Sequence, residues 1–429
     1  MRVLLTGATG LIGRATLAAL AGAGHEVVAV ARRPDAVRRL PEASRVAAVD
    51  LRRATYPSHW LAHLAGVEAV VSCAGVLQDG AGDSTHGVHV EAARALYAAC
   101  EAAGVRRLVH VSALGVGPDA ATAFTASKHE GDEALMRSGL DWVILRPSVV
   151  VGRPAYGGSA LFRGLAALPV RPSVPGAGPL QVVQLDDLVA TILFFLAPGA
   201  PARIALDVVG PEALALDDVI AAYRRWLGSP PARVLPLPAA LAHAVFRAGD
   251  GLGRLGWRAP VRSTALAELA RGSLGDPAPW TRLTGIVPRP LGAALAAEPA
   301  GVQERWFARL YLLKPVTLAT LALYWLATGI LALGPGRQAG EALLAEAGLG
   351  PPAALTMLGA AADILIGAGI AVRRTAAAAL WAALALSLAY LALGSLLVPR
   401  LWADPLGPLL KIAPIVALNL VALATLDDR

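Results

Sequence analysis

Apolar positions follow two different rules along this chain, and the rule changes near residue 312. Up to about residue 150, short apolar runs alternate with amphipathic stretches of helical spacing. The runs are "RVLLTG", "EVVAVAR", "RVAAVD" ending at Asp50, "VEAVVSCAG", "RRLVHVSALG" and "LDWVILRPS". Between them lie helix patterns such as "VHVEAARALYAACEAAG" and the stretch carrying Lys128. Strands that alternate with helices predict a doubly wound parallel sheet, an α/β fold of Rossmann type with ligands at the carboxyl ends of its strands.

Residues 211–311 carry helix-like pieces, "DDVIAAYRRWLG" and "RSTALAELARG", broken by Pro- and Gly-rich connections. Leu237, Phe246, Leu252 and Trp257 are candidates for an apolar lining there, and most are expected to be core. Beyond 312, four nearly uncharged segments, about 315–335, 351–372, 375–398 and 405–426, are each long enough to cross a bilayer core of ~30 Å. The expected organisation is a nucleotide-binding domain over 1–230, a helical substrate-side and linker region over 231–311, and an all-α four-span membrane bundle over 312–429.

Charge and composition sharpen this division. The chain has 429 residues, of which only 16% are charged, with a net charge of +7. No Lys/Arg run is interleaved with aromatics, so nucleic acid is not expected as a partner, and a bilayer is. Arg305, Arg309 and Lys314 precede the first apolar segment, and Arg373 and Arg374 separate the second from the third. The outer loops carry only Arg337 and Arg400, which predicts a multi-pass cell-membrane protein with both termini cytoplasmic. "QERWFARLY" reads as an interfacial lead-in to the first span. The opening "MRVLLTGATG" turns glycine-rich after three apolar residues, unlike a signal peptide. Cys73 and Cys100 give no disulfide framework, His59 and His63 lack a third ligand, and no metal site is expected.

Candidate chemistry begins at Gly7, Gly10 and Gly13, spaced G-x-x-G-x-x-G between a strand and a helix. Small residues there let the backbone turn tightly, approach a pyrophosphate, and place it on the helix N-terminus, whose free amides favour anions. The second strand ends at Arg32 and Arg33, where an acid would read a ribose 2′-hydroxyl and arginine a 2′-phosphate. NADP(H) is therefore expected over NAD(H), with one of the two arginines left as a solvated loop residue.

These features, with "TGATGLIG", Asp50-Leu51, "SCAG", "VSALG", "FTASK", "LRPSVVVG", "VQLDDLV" and "VGPEALALDDVI", resemble a short-chain dehydrogenase/reductase of the extended or atypical, epimerase/dehydratase-like type over residues 1 to about 230. The resemblance implies that Gly7, Thr9, Gly10, Leu11, Ile12 and Gly13 hold the pyrophosphate. It places Asp50 and Leu51 beside adenine, Ala74 and Gly75 beside ribose, and Pro147 to Val149 beside nicotinamide. Ser112 would orient a substrate oxygen, and Lys128 would bind the nicotinamide ribose and lower the pKa of a neighbouring acid. That acid is missing: Phe124 stands at the family's tyrosine position. Thr125, Ser127, Ser112, His129 and Tyr156 are the nearby substitutes, while Tyr97 is expected to be packing.

"WADPLGPLLKIAPIVALNL" and the four-segment layout resemble the DoxX-like family over roughly residues 310–427. Ionisable residues inside spans are functional candidates. Asp363 is expected roughly 18 Å into its span, Lys411 roughly 9 Å and Asn419 roughly 21 Å into theirs, so Asn419 could hydrogen-bond Asp363. Gly359, Gly367 and Gly369 would allow close helix packing, and the membrane helices offer a surface for oligomerisation.

The sequence thus predicts a membrane-anchored NADP(H)-dependent oxidoreductase acting on a small apolar or membrane-borne substrate, a quinone or lipid-like carbonyl. Its alternatives are a non-catalytic nucleotide sensor coupled to the bundle and, third, transport through the spans.

Overall fold

The structure is a computed structural model that describes residues 1–33, 35, 40–80 and 82–426. Pro34 and the last three residues of the expected membrane domain lie outside the described residues. The chain forms two compact units: residues 1–251 with 259–308, and residues 252–258 with 309–429.

The first unit is built on strands β1 (Arg2–Thr6), β2 (Glu26–Ala31), β3 (Arg45–Ala48), β4 (Ala69–Ser72), β5 (Arg107–Val111) and β6 (Asp141–Pro147). Two pieces, β7 (Val149–Val151) and β9 (Val182–Gln184), pair with each other, β8 (Val170–Ser173) pairs with the strand Arg233–Pro236, and β10 (Ile204–Val208) joins the main sheet. Its order is β10-β6-β5-β4-β1-β2-β3, every pair parallel. Both faces are covered, which explains why the strands read as nearly continuous apolar runs. Along β1, Val3 and Leu5 enter one core with Leu17, Val71, Val143 and Ile192, and Leu4 enters the other with Trp60, Leu96 and Ile144.

The covering helices are α1 (Leu11–Gly22), the short α2 (Ser58–Leu61), α3 (Ala92–Ala103), α4 (Ala123–Met136), α5 (Gly157–Ala166), α6 (Leu185–Leu196) and α7 (Leu216–Trp226). A π-turn over Gly87–Glu91 leads into α3. Residues 259–308 belong to this unit: Trp280 is fully buried, and its Nε1 donates to Thr191 at 2.9 Å. Helix Ser263–Arg271 closes over the β5 side, where Glu268 accepts from the Thr122 hydroxyl at 2.6 Å and Arg271 donates to Leu114 O at 3.1 Å. Of the expected lining residues, Phe246 is buried and Leu252 exposed. Trp257 belongs instead with the apolar helices of the second unit: its Nε1 donates to Ala371 O at 2.7 Å, and Arg373 sits over its ring.

In the second unit three helices, Leu313–Leu333, Pro352–Ala371 and Ala376–Leu397, are long and apolar enough to cross a membrane. The fourth expected segment is helical over a shorter stretch. Its helix, Ile412–Leu426, has 15 residues and is short for a bilayer core of ~30 Å, because Pro405, Gly407 and Pro408 keep the preceding segment in turns. Lys411 consequently lies in that turn segment, not inside a helix. A further helix, Arg337–Glu346, separates the first two long ones, and Glu346 pairs with Arg400.

The small residues do allow close approach. A Cβ at Gly367 would meet Ala322 O at 2.8 Å, and one at Gly329 would meet Ala360 O at 2.6 Å. Asp363, buried between these contacts, accepts from the Tyr390 hydroxyl at 3.4 Å. The expected Asn419 bond to Asp363 is absent among the described residues; the Asn419 amide donates to Ile415 O at 3.0 Å, one turn back on its own helix.

Candidate functional site

The glycine turn fits a pyrophosphate for steric reasons. Gly7 has φ +70°, and a Cβ on it would lie 2.7 Å from backbone atoms of Cys73 and Ala74. A Cβ at Gly13 would stand 2.1 Å from Gly7 O. Gly10 caps α1 with no side chain over its first amides, so the groups at Thr9, Leu11 and Ile12 open at the carboxyl end of β1. Leu51 and Ala74 border one cavity with Thr6, His89 and His110.

The arginines at the end of β2 separate in role. Arg32 donates to Asp83 at 2.9 Å and approaches Asp50 at 3.8 Å, whereas Arg33 is an exposed loop residue. Asp50 is chiefly engaged by Arg52, which grips it at 3.0 and 2.5 Å. That bond to Arg52 is the main reason the Asp50 carboxyl sits below the usual carboxylate range. A second arginine at this corner, Arg52, was not singled out by the sequence reading.

Lys128 lies on α4, 4% exposed, with Nζ donating to Val111 O at 2.9 Å. A Cβ on Gly75 would come within 3.7 Å of the same nitrogen, so the expected ribose loop and the lysine do meet. Burial lowers the Lys128 pKa to about 8, against the pull of Asp132. Pro147 and Val149 flank the end of β6, where Pro147 O accepts from Leu114 N at 2.9 Å.

The expected substitutes for a tyrosine are mostly committed elsewhere. Thr125 is spent on the cap of α4, exchanging hydrogen bonds with Thr122. His89 accepts from Val76 N–H at Nε2, 3.0 Å, which leaves the ring proton on Nδ1 to donate to Ser127 at 2.8 Å. The Ser127 hydroxyl then donates to Phe124 O at 3.0 Å. Burial, with the Lys128 charge adding to it, pushes His89 down to about 2, so this ring is neutral at any working pH. It packs edge-on against Phe124, with centroids 5.7 Å apart. His129 is half-buried, with Nε2 3.9 Å from Glu133. Tyr156 lies in the turn that opens α5, and Tyr97 is core.

Ser112 reveals a group that sequence reasoning missed. Its hydroxyl donates at 2.9 Å to Asp132, a residue with 0% exposure. Asp132 also faces Arg146 at 3.3 Å and His110 at 3.5 Å. Burial alone would raise its carboxyl, but His110, the Ser112 hydroxyl and Lys128 more than offset that and hold it low. Asp132 stands four residues after Lys128 on one helix, so both charges share a face, and that spacing was the available signal. The Ser112 hydroxyl is thereby fixed by an ionised carboxylate, itself balanced by a guanidinium.

Comparisons with known proteins agree with this geometry. Residues 7–165 match the NAD(P)H-binding family, and residues 322–420 match the DoxX-like family. With the three long apolar helices, the second match identifies a membrane-embedded region. An uncharacterised protein of Mycobacterium tuberculosis is 31% identical over 212 residues, 48% of this chain but only 22% of that much longer protein. Sterol demethylase protein B of Methylococcus capsulatus is 30% identical over 336 residues, which cover 71% of this chain and 99% of that one. Among solved structures, the enzyme WbmG of Bordetella bronchiseptica in complex with NAD aligns with a TM-score of 0.53 at 17% identity, over 69% of this chain and 93% of its own, a likeness of fold. The chain belongs to the NAD(P)H-binding family and carries a DoxX-like domain at its C-terminal end, and its nucleotide-binding region has the fold of NAD-dependent short-chain dehydrogenase/reductase enzymes of the epimerase/dehydratase type.

Proposed function

We propose that this chain is a membrane-anchored, NADP(H)-dependent oxidoreductase whose substrate is apolar or membrane-borne, a quinone or a lipid-like carbonyl. The observation that carries the proposal is the buried Lys128 ammonium beside the Gly75 loop, at a site whose glycine turn admits a pyrophosphate. Gly7, Gly10 and Gly13 would hold the pyrophosphate, and Asp50, Leu51 and Ala74 the adenosine end. Arg32, released from Asp83, and Arg52 would take the 2′-phosphate. The sterol named for the Methylococcus relative and the fused apolar helices favour a lipophilic substrate.

When bound, the cofactor supplies hydride, and reduction of a carbonyl then leaves an oxygen that needs a proton. Phe124 cannot give one, and His89 and Thr125 are tied into structure. Lys128 Nζ carries the proton that can be lost near neutral pH, and we assign it the donor role. Ser112 would turn its hydroxyl from Asp132 to orient the substrate oxygen. Cytoplasmic placement of the nucleotide-binding unit, inferred from the positive residues before the first span and between the second and third, would put this site where NADPH is made.

The test is NADPH oxidation by the full chain in lipid with a short-chain quinone. Turnover that falls roughly 100-fold or more in Lys128→Ala, with NADPH still bound, supports the reading. Phe124 itself favours a second reading, a nucleotide sensor. No turnover in the parent together with activity created by Phe124→Tyr would select it.

A further inference from the structure

At the far end of β7 and β9, a pocket shares no lining residue with the glycine turn or Lys128. Its floor is the guanidinium of Arg163 on α5, 3% exposed. One nitrogen donates to Gly152 O at 2.6 Å, and the rings of Tyr223 and Trp226 lie 5.6 and 5.0 Å from its carbon. Nε has no acceptor, and no carboxylate forms an ion pair with Arg163 among the described residues. Beside it Gln184, 7% exposed, points an amide nitrogen that also lacks an acceptor.

A buried cation without a counter-charge and a buried amide donor without an acceptor are each costly, and a shared acceptor relieves both. The rim strengthens the case. Arg153 lines it, exposed and without an ion pair among the described residues, while Arg289 is already balanced by Asp186 and Asp187. The opposing acids are weakly placed: Glu298 is exposed, and Glu304 accepts from Gly301 N–H and feels Arg153 and Arg163 only through space. A water could satisfy one of the two donors, but it leaves the guanidinium charge unbalanced.

We propose that this pocket binds a compact oxyanion, the carboxylate or phosphate group of a small molecule, on Arg163, Gln184 and Arg153. Two or three donors converging on one face fit an acceptor-only group with several oxygens.

Calorimetric titration of the full chain in lipid nanodiscs with inorganic phosphate, and separately with acetate, tests the site. Saturable binding of at least one anion is expected, with a Kd near about 1 mM. It should weaken at least about tenfold in Arg153→Ala, a surface change that the fold tolerates, and in Gln184→Leu. Arg33→Ala, at an exposed loop position, should leave it unchanged. The anion that binds more tightly identifies the source as carboxylate or phosphate. Absence of saturable binding by both, or binding indifferent to Arg153→Ala and Gln184→Leu, overturns the proposal.

Discussion

The two ends of the nucleotide site are built on different principles. At the glycine turn the requirement is absence: no Cβ at Gly7 or Gly13, and no side chain over the amides that open α1. At the Lys128 end the requirement is presence, and three polar groups are each held by a partner. Ser112 is held by Asp132, His89 by Val76 and Ser127, and Lys128 by Val111. The first end tolerates no added atom. The second packs Phe124 edge-on against His89 and keeps a buried amine beside the Gly75 loop.

Variants can break the comparison at either end. The largest effect is expected from Gly13→Ala, whose Cβ would stand 2.1 Å from Gly7 O. Overpacking of this kind costs about 3 kcal/mol, so NADPH affinity should fall roughly 100-fold, as read by fluorescence titration. Asp132→Asn comes next. It removes the charge that balances Arg146 and anchors Ser112, and should destabilise the fold by about 3 kcal/mol, read in thermal unfolding. A milder, selective effect is expected at the adenine corner. Arg32→Ala should weaken NADPH roughly tenfold and leave NADH nearly unchanged, and equal losses for both would remove the 2′-phosphate assignment. The smallest change should come from Arg33→Ala, an exposed loop position, with NADPH affinity altered less than about twofold.

The glycine end was legible because its information is local. A strand, three glycines and a helix within one short stretch fix the turn, and the run of Val, Leu and Ala in each strand announces a sheet covered on both faces. The Lys128 end was legible only in part. Lys128 and Ser112 are named by their motifs, but Asp132, His110, His89 and Arg146 come from α4, β5, the π-turn and β6, and no spacing along the chain brings those elements together. Only the four-residue step from Lys128 to Asp132 was there to be read. Composition likewise found the apolar segments but overlooked how Pro405, Gly407 and Pro408 would delay the last helix, which moved Lys411 out of it. Trp257 looked like substrate lining because apolar residues in a linker do not say which unit they join; its hydrogen bond to Ala371 decides that.

The proton source is the central claim, and its most direct test is the pH dependence of NADPH oxidation at saturating substrate. Lys128 has its pKa lowered by burial to about 8, and in the proposed reaction its protonated form is the donor. The rate should therefore be flat on the acid side and fall as pH rises through about 8, where the ammonium is lost. His89, pushed down to about 2, should add no inflection near the ordinary histidine value. Such a profile, with the alkaline limb gone from the residual activity of Lys128→Ala, is what the account predicts. A rate that holds steady well above pH 8, or an alkaline limb that persists in Lys128→Ala, would contradict it.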